Sequence, residues 1–205
     1  MHPVDGHGPR GPWIGPPNGL PAGYAVDMHL RCYLGHGASG NAASMTPFVV
    51  GLRARGVDAS AIDLPKRRAE DAVPAFHLVV PSTPDVVVGG HSYGGRVASL
   101  AAAEPGAPYA ALVLFSYPLH PPGQPDRTEA RIAHWPAIRC PVLLLSGASD
   151  PFARIELLRA NVARLPEAEL ITYPRLGHTL KPVLEDVLDR VAAFVTAAGR
   201  SGARP

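Results

Sequence analysis

The chain of 205 residues holds 24 prolines and 21 glycines, a high share that still falls short of the roughly 25–30% that marks low-complexity disorder. Hydrophobic residues make up 46% and charged residues 18%, enough to bury a core and consistent with one domain. The 19 basic against 17 acidic residues leave a formal charge of +2 with no long basic stripe, which argues against nucleic acid, and no apolar run approaches the roughly 18 residues that cross a bilayer.

In chain order, residues 1–23 come first and contain six glycines and six prolines, so they are expected to form a flexible arm that buries too little apolar surface to offset its ordering entropy. A folded domain is expected over residues 24–198, followed by a tail over 199–205. The opening MHPVDGHGPR lacks a basic segment leading into an apolar stretch, so a cytoplasmic location is expected. Cys32 and Cys140 stand singly in apolar surroundings without CxxC spacing and read as small buried hydrophobes. Neither a metal nor a cofactor is expected, and the oligomeric state is expected to be monomer or homodimer.

From there, short Val/Ile/Leu-rich runs alternate with stretches of helical periodicity, the pattern of a mostly parallel sheet of about six strands with helices on both faces. A first strand over His29–Leu34 enters Gly35-His36-Gly37-Ala38-Ser39-Gly40, and a helix is expected over Ala43–Arg55. This loop admits two readings. It spells G-x-G-x-x-G between strand and helix, and Asp63 closes the next strand, Val57–Asp63, with Lys66-Arg67-Arg68 just beyond; together these match a dinucleotide-binding fingerprint. Alternatively its small residues let backbone approach a substrate, with the Ala38 amide, or else that of Ser39, donating to an oxyanion while His36 holds the loop by hydrogen bonds.

The next strand, Val86–Gly89, runs into Gly90-His91-Ser92-Tyr93-Gly94 and then a helix over Gly94–Ala103. G-x-S-x-G in this setting is a nucleophile elbow: glycines two residues to either side remove Cβ atoms that would collide, and the Tyr93 amide faces a developing oxyanion. After a strand over Ala110–Phe115, prolines crowd the stretch Pro118–Pro125. The strand Val142–Leu145 leads to Asp150, beyond the C-terminal end of a buried strand, where open α/β sheets place functional groups. Asp150 also precedes Pro151 and can be read as the cap of a helix whose first residue is that proline; separately, a helix is expected over Arg154–Arg164. His178 lies between the last strand, Ala168–Tyr173, and a last helix over Val183–Ala197, whose apolar positions recur at helical spacing.

A serine needs a base and the base an orienting acid, and Ser92, Asp150 and His178 supply nucleophile, acid and base in the order of the α/β-hydrolases. The segments HGASG, GGHSYGG, SGASDPF and LGH resemble that superfamily over roughly residues 29–198. A finer resemblance lies in FSYPLHPPG together with SDPF and the Arg67-Arg68 pair. These look like a dienelactone-hydrolase-like group, the bacterial relatives of testis-expressed protein 30 and of the NSL chromatin-complex subunit with a hydrolase-like domain. Dienelactone hydrolases proper use a cysteine nucleophile where this chain has Ser92, and the group includes scaffolding members. The resemblance implies a minimal α/β-hydrolase fold and the Ser92, Asp150, His178 triad.

Only residues 116–141 separate two strands where lidded hydrolases insert a lid, so no cap domain is expected. Ser39, His91, Tyr117, His120 and Trp135 are expected along the rim of an open cleft suited to small ester or thioester substrates. A nucleotide-binding domain centred on Gly35–Gly40 and a catalytically silent module of hydrolase fold stand as alternatives.

Overall fold

The computed structural model describes residues 29–201, so the expected arm and the last four residues of the tail lie outside the described residues. Six strands form one sheet: β1 (Arg31–Gly35), β2 (Asp58–Ile62), β3 (Val86–His91), β4 (Ala111–Phe115), β5 (Val142–Gly147) and β6 (Ala168–Tyr173). Every pairing is parallel, and the spatial order is β2-β1-β3-β4-β5-β6. The central strands are buried along their whole length apart from His91, because helices cover both faces and each side chain meets one layer or the other. Val86, Val88, Leu112, Leu114, Val142 and Leu144 point into one core. Val87, Val113, Phe115, Leu143 and Leu145 point into the other.

The helices are α1 (Thr46–Arg53), α2 (Ala69–Val79), α3 (Tyr93–Ala102), α4 (Glu129–Ile132), α5 (Ile155–Asn161) and α6 (Leu184–Ser201). The first expected helix divides into a 3-10 turn over Ala42–Met45 and α1, with the Asn41 side chain accepting from the Ser44 amide at the start. α6 runs three residues past the expected end of the domain, so the tail begins as helix.

α2 is an addition to the expected elements. Its buried residues Ala69, Ala72, Val73 and Phe76 follow the i, i+3, i+4, i+7 template, but Pro74 sits inside it and reads in sequence as a breaker. The burial of that apolar face outweighs the hydrogen bond the proline cannot make. α2 packs on α3, and the turn just before it is tied to His36 after β1 through the Leu64 amide and to Tyr93 after β3 through the Pro65 carbonyl. Strand order reverses between those two strands, with β2 on one side and β4 on the other, and this switch point opens the crevice in which the site lies.

Candidate active site

Ser92 stands between β3 and α3 with φ 52° and ψ −109°, a conformation costly for a residue with a side chain. Close backbone packing holds it there. A Cβ on Gly94 would fall 2.3 Å from the carbonyl carbon and oxygen of Gly35, and one on Gly90 would fall 2.3 Å from the same oxygen. The elbow therefore sits directly on the end of β1, and hydrogen bonds from Gly94 N–H to the His36 carbonyl (2.9 Å) and from Ser92 N–H to the Phe115 carbonyl (2.9 Å) fix it.

The Ser92 hydroxyl reaches His178 Nε2 at 2.9 Å, and His178 Nδ1 reaches Asp150 Oδ2 at 2.8 Å. With the proton on Nδ1 donated to the carboxylate, Nε2 is left as the acceptor for the hydroxyl. Asp150 does not cap a helix, because α5 begins only at Ile155 with Arg154 as its N-cap. Oδ1 accepts from the Phe152 amide at 2.8 Å and closes its own turn, while Oδ2 holds the histidine. The two loops are tied to each other by Ser149 N–H to the Leu176 carbonyl (2.8 Å) and Ala148 N–H to the Tyr173 carbonyl (2.9 Å). Phe152 and His91 flank the His178 ring at centroid distances of 4.4 and 5.0 Å, and His91 Nε2 donates to the His178 carbonyl at 3.0 Å. Burial lowers the His91 pKa, in keeping with a neutral ring in that role.

The Gly35–Gly40 loop is shaped by His36. Nearly sealed from solvent, its Nδ1 donates to the Gly37 carbonyl at 2.8 Å and its Nε2 accepts from the Leu64 amide at 3.0 Å, joining the loop to the turn after β2. Asp63, the residue a dinucleotide would need for its ribose, accepts from the Ala42 amide at 2.7 Å. It thereby occupies the helix start where a pyrophosphate would bind. The loop instead presents exposed Ala38 and Ser39 beside Ser92.

Two cavities meet at the elbow, and Ala38, Ser92 and Phe152 line both. One, of about 380 Å³, includes Ser39, Phe48, His91, His178 and Lys181. The other, of about 520 Å³, lies between the turn before α2, the start of α3 and the Pro-rich stretch, and takes in Tyr93. The hydroxyl of Tyr93 donates to the Pro65 carbonyl at 2.6 Å, which points the ring away from the serine and leaves its amide at the helix start.

Ser39 and His91 therefore lie on the cleft, but the rim expected from Tyr117, His120 and Trp135 is not there. These residues are 2%, 4% and 0% exposed, since the stretch after β4 folds down against the sheet instead of standing over it. Tyr117 and Trp135 pack edge to face at 5.2 Å beneath the larger cavity. His120 joins two loops through Nδ1 to the Pro121 carbonyl (2.8 Å) and the Arg154 amide to Nε2 (3.0 Å). Their places are taken by Pro118, Pro121, Pro122 and Phe152. Phe152 carried a signal in its position two residues after the acid, and Arg67-Arg68 one as an adjacent pair; Arg96, Arg127 and Arg131, which also line the larger cavity, are scattered through the sequence and carried none.

The fold is shared with known proteins. Residues 61–200 match the family model described as an alpha/beta hydrolase domain. No curated protein sequence is significantly similar to the chain. Among solved structures it is similar to the monoacylglycerol lipase of Paleococcus ferrophilus, with a TM-score of 0.71 at 14% identity over 82% of this chain and 94% of that one. It is similar also to Est1E from Butyrivibrio proteoclasticus, with a TM-score of 0.67 at 18% identity over 82% and 89% of the two chains. A thioesterase domain from the curacin biosynthetic pathway gives 0.64 at 15% identity over 83% and 92%. At these identities the likeness is one of fold, which the matched family model, covering more than half of the sequence, makes specific: the chain belongs to the α/β hydrolases.

Proposed function

We propose that the protein is a serine hydrolase that cleaves small ester or thioester substrates through an acyl-enzyme. The observation that carries this reading is the unbroken chain from the Ser92 hydroxyl through His178 to Asp150, at 2.9 and 2.8 Å, on a half-buried elbow that opens into two cavities. His178 Nε2 takes the Ser92 proton as Oγ bonds to the substrate carbonyl carbon. The Tyr93 and Ala38 amides receive the charge that develops on the carbonyl oxygen, and Asp150 steadies the imidazolium. Collapse of the tetrahedral intermediate breaks the bond to the alcohol or thiol, which leaves with the proton from His178. Water then repeats the sequence and frees the acid.

The absence of any domain over the cleft among the described residues supports small or protruding ester groups as substrates. The FSYPLHPPG and SDPF stretches further support kinship with the dienelactone-hydrolase-like group around testis-expressed protein 30. A fluorophosphonate probe is expected to label wild-type protein at Ser92 and to fail on Ser92→Ala. Well-folded wild type that resists labelling would overturn the reading.

A further inference from the structure

The larger cavity beside Ser92 is charged in one sense. Arg67, Arg68, Arg96, Arg127 and Arg131 line it, and Glu70 is the sole carboxylate among its lining residues. That carboxylate is already engaged: Arg96, which is 8% exposed, pairs with it closely, and Arg68 lies 3.8 Å from its other oxygen. Arg127 bonds to the Gln124 side chain. Among the described residues neither the Arg67 nor the Arg131 guanidinium makes a hydrogen bond or an ion pair, although both face the cavity.

Arg131 is also set in place before anything binds. Its carbonyl accepts from the Tyr117 hydroxyl at 2.6 Å and from Arg96 at 2.9 Å, and those two buried donors anchor the short α4 to α3 and to the aromatic pair below. Burial, and then the neighbouring Arg96 charge, lower the Arg131 pKa. Both effects disfavour its cation, and an anion seated in the cavity would relieve the second. A guanidinium on an anchored backbone, partly desolvated and unpaired, is suited to bidentate recognition of a planar or tetrahedral oxyanion.

We infer that the substrate carries an anionic group, a carboxylate or a phosphoryl group, which sits in the cavity on the Arg67 and Arg131 side of Ser92. This rests on the proposed hydrolase reading and adds the substrate's charge to it. The anion lies on one side of the scissile bond, Arg131 and Arg67 grip it, and the ester carbonyl is thereby brought to the elbow. The smaller cavity takes the other half of the molecule.

Turnover of 4-nitrophenyl butyrate is to be compared with that of mono-4-nitrophenyl glutarate, which puts a carboxylate on the acyl side, and with 4-(butyryloxy)phenylacetate, which puts one on the leaving side. At least one anionic ester is expected to exceed its uncharged counterpart in kcat/KM. Arg131→Gln and Arg67→Gln are each expected to reduce that value about tenfold or more, chiefly through KM, and to reduce it more for the anionic ester than for the neutral one. Arg159→Gln, on α5 and outside the cavity, is expected to change neither. High salt should narrow the preference.

A second arm does not depend on catalysis: binding of phenyl phosphate and of monophenyl glutarate to full-length Ser92→Ala protein by calorimetry, with and without Arg67→Gln and Arg131→Gln. Binding weakened by those substitutions supports the inference, and the tighter of the two probes identifies the anion. Failure of both anions to bind overturns it, as does equal turnover of charged and neutral esters. Loss of fluorophosphonate labelling, in contrast, is a failure of the hydrolase reading, and the binding arm still decides the charge.

Discussion

Replacing Gly94 by alanine tests how the elbow is held. The added Cβ would lie 2.3 Å from both the carbonyl carbon and the oxygen of Gly35 and 2.7 Å from its Cα, all backbone atoms of a central strand. Ordinary contact begins near 3.4 Å, so either α3 or the end of β1 must retreat by about 1 Å. Overpacking of this kind costs about 1–3 kcal/mol, and with no flexible side chain to absorb it the upper end applies. For a chain of this size about 3 kcal/mol lowers Tm by roughly 6–12 °C.

The same shift carries Ser92 away from His178, and a displacement of that size can reduce turnover about a hundredfold. Gly106→Ala is the comparator: it has φ +77° but nothing within 4 Å of the new Cβ, so it should lose about 1–2 kcal/mol to backbone strain alone and keep its labelling rate. Thermal melts and the rate of fluorophosphonate labelling are to be measured on both. Wild-type Tm and labelling in Gly94→Ala would refute the claim that glycine is required by backbone contact.

Three other outcomes are expected. Ser92→Ala and His178→Ala should each remove nearly all turnover, and the double variant should be no slower than either, which steady-state rates will show. His134 is held neutral by burial and by the Arg96 charge, its pKa falling from 6.5 to about 4. As pH drops below 6.5 the unfolded chain binds that proton first, so stability should fall by about 2 kcal/mol between pH 7 and pH 5 and level off near pH 4; urea melts of His134→Gln should lack that part of the slope. Burial raises the pKa of Cys32 to about 12 and that of Cys140 to about 11, so Ellman's reagent at pH 8 should find both thiols unreactive until the chain is unfolded.

The inner strands β3, β4 and β5 were legible because each is built on a short apolar run between turn residues, and β6 keeps its expected bounds of Ala168–Tyr173. The proposed triad was legible for the same reason: once the strands are placed, Ser92, Asp150 and His178 follow their C-terminal ends. Direction was not legible where no periodic element constrains it. Tyr117, His120 and Trp135 sit in a Pro-rich connection, and whether it stands over the cleft or folds beneath depends on packing that only the assembled sheet decides. Pro74 hid α2 by its own chemistry, although the apolar spacing around it was intact. The triplet 66–68 reads in sequence as an adjunct of the Gly35–Gly40 fingerprint, whereas the fold brings Arg67 and Arg68 beside arginines from α3 and from the connection after β4.

The all-parallel sheet also bears on when the site first exists during folding. Ser92 and His178 are 86 positions apart in the chain, and His178 is 28 from Asp150. Each parallel pairing needs a crossover before it forms, and contacts of long sequence separation come slowly. β6 and the His178 loop follow every other strand in the chain and dock at the far edge of the sheet from β2. A chain caught before that step carries only an ordinary serine on an unfinished turn, so on the proposed hydrolase reading fluorophosphonate labelling at Ser92 is expected to mark a completed fold.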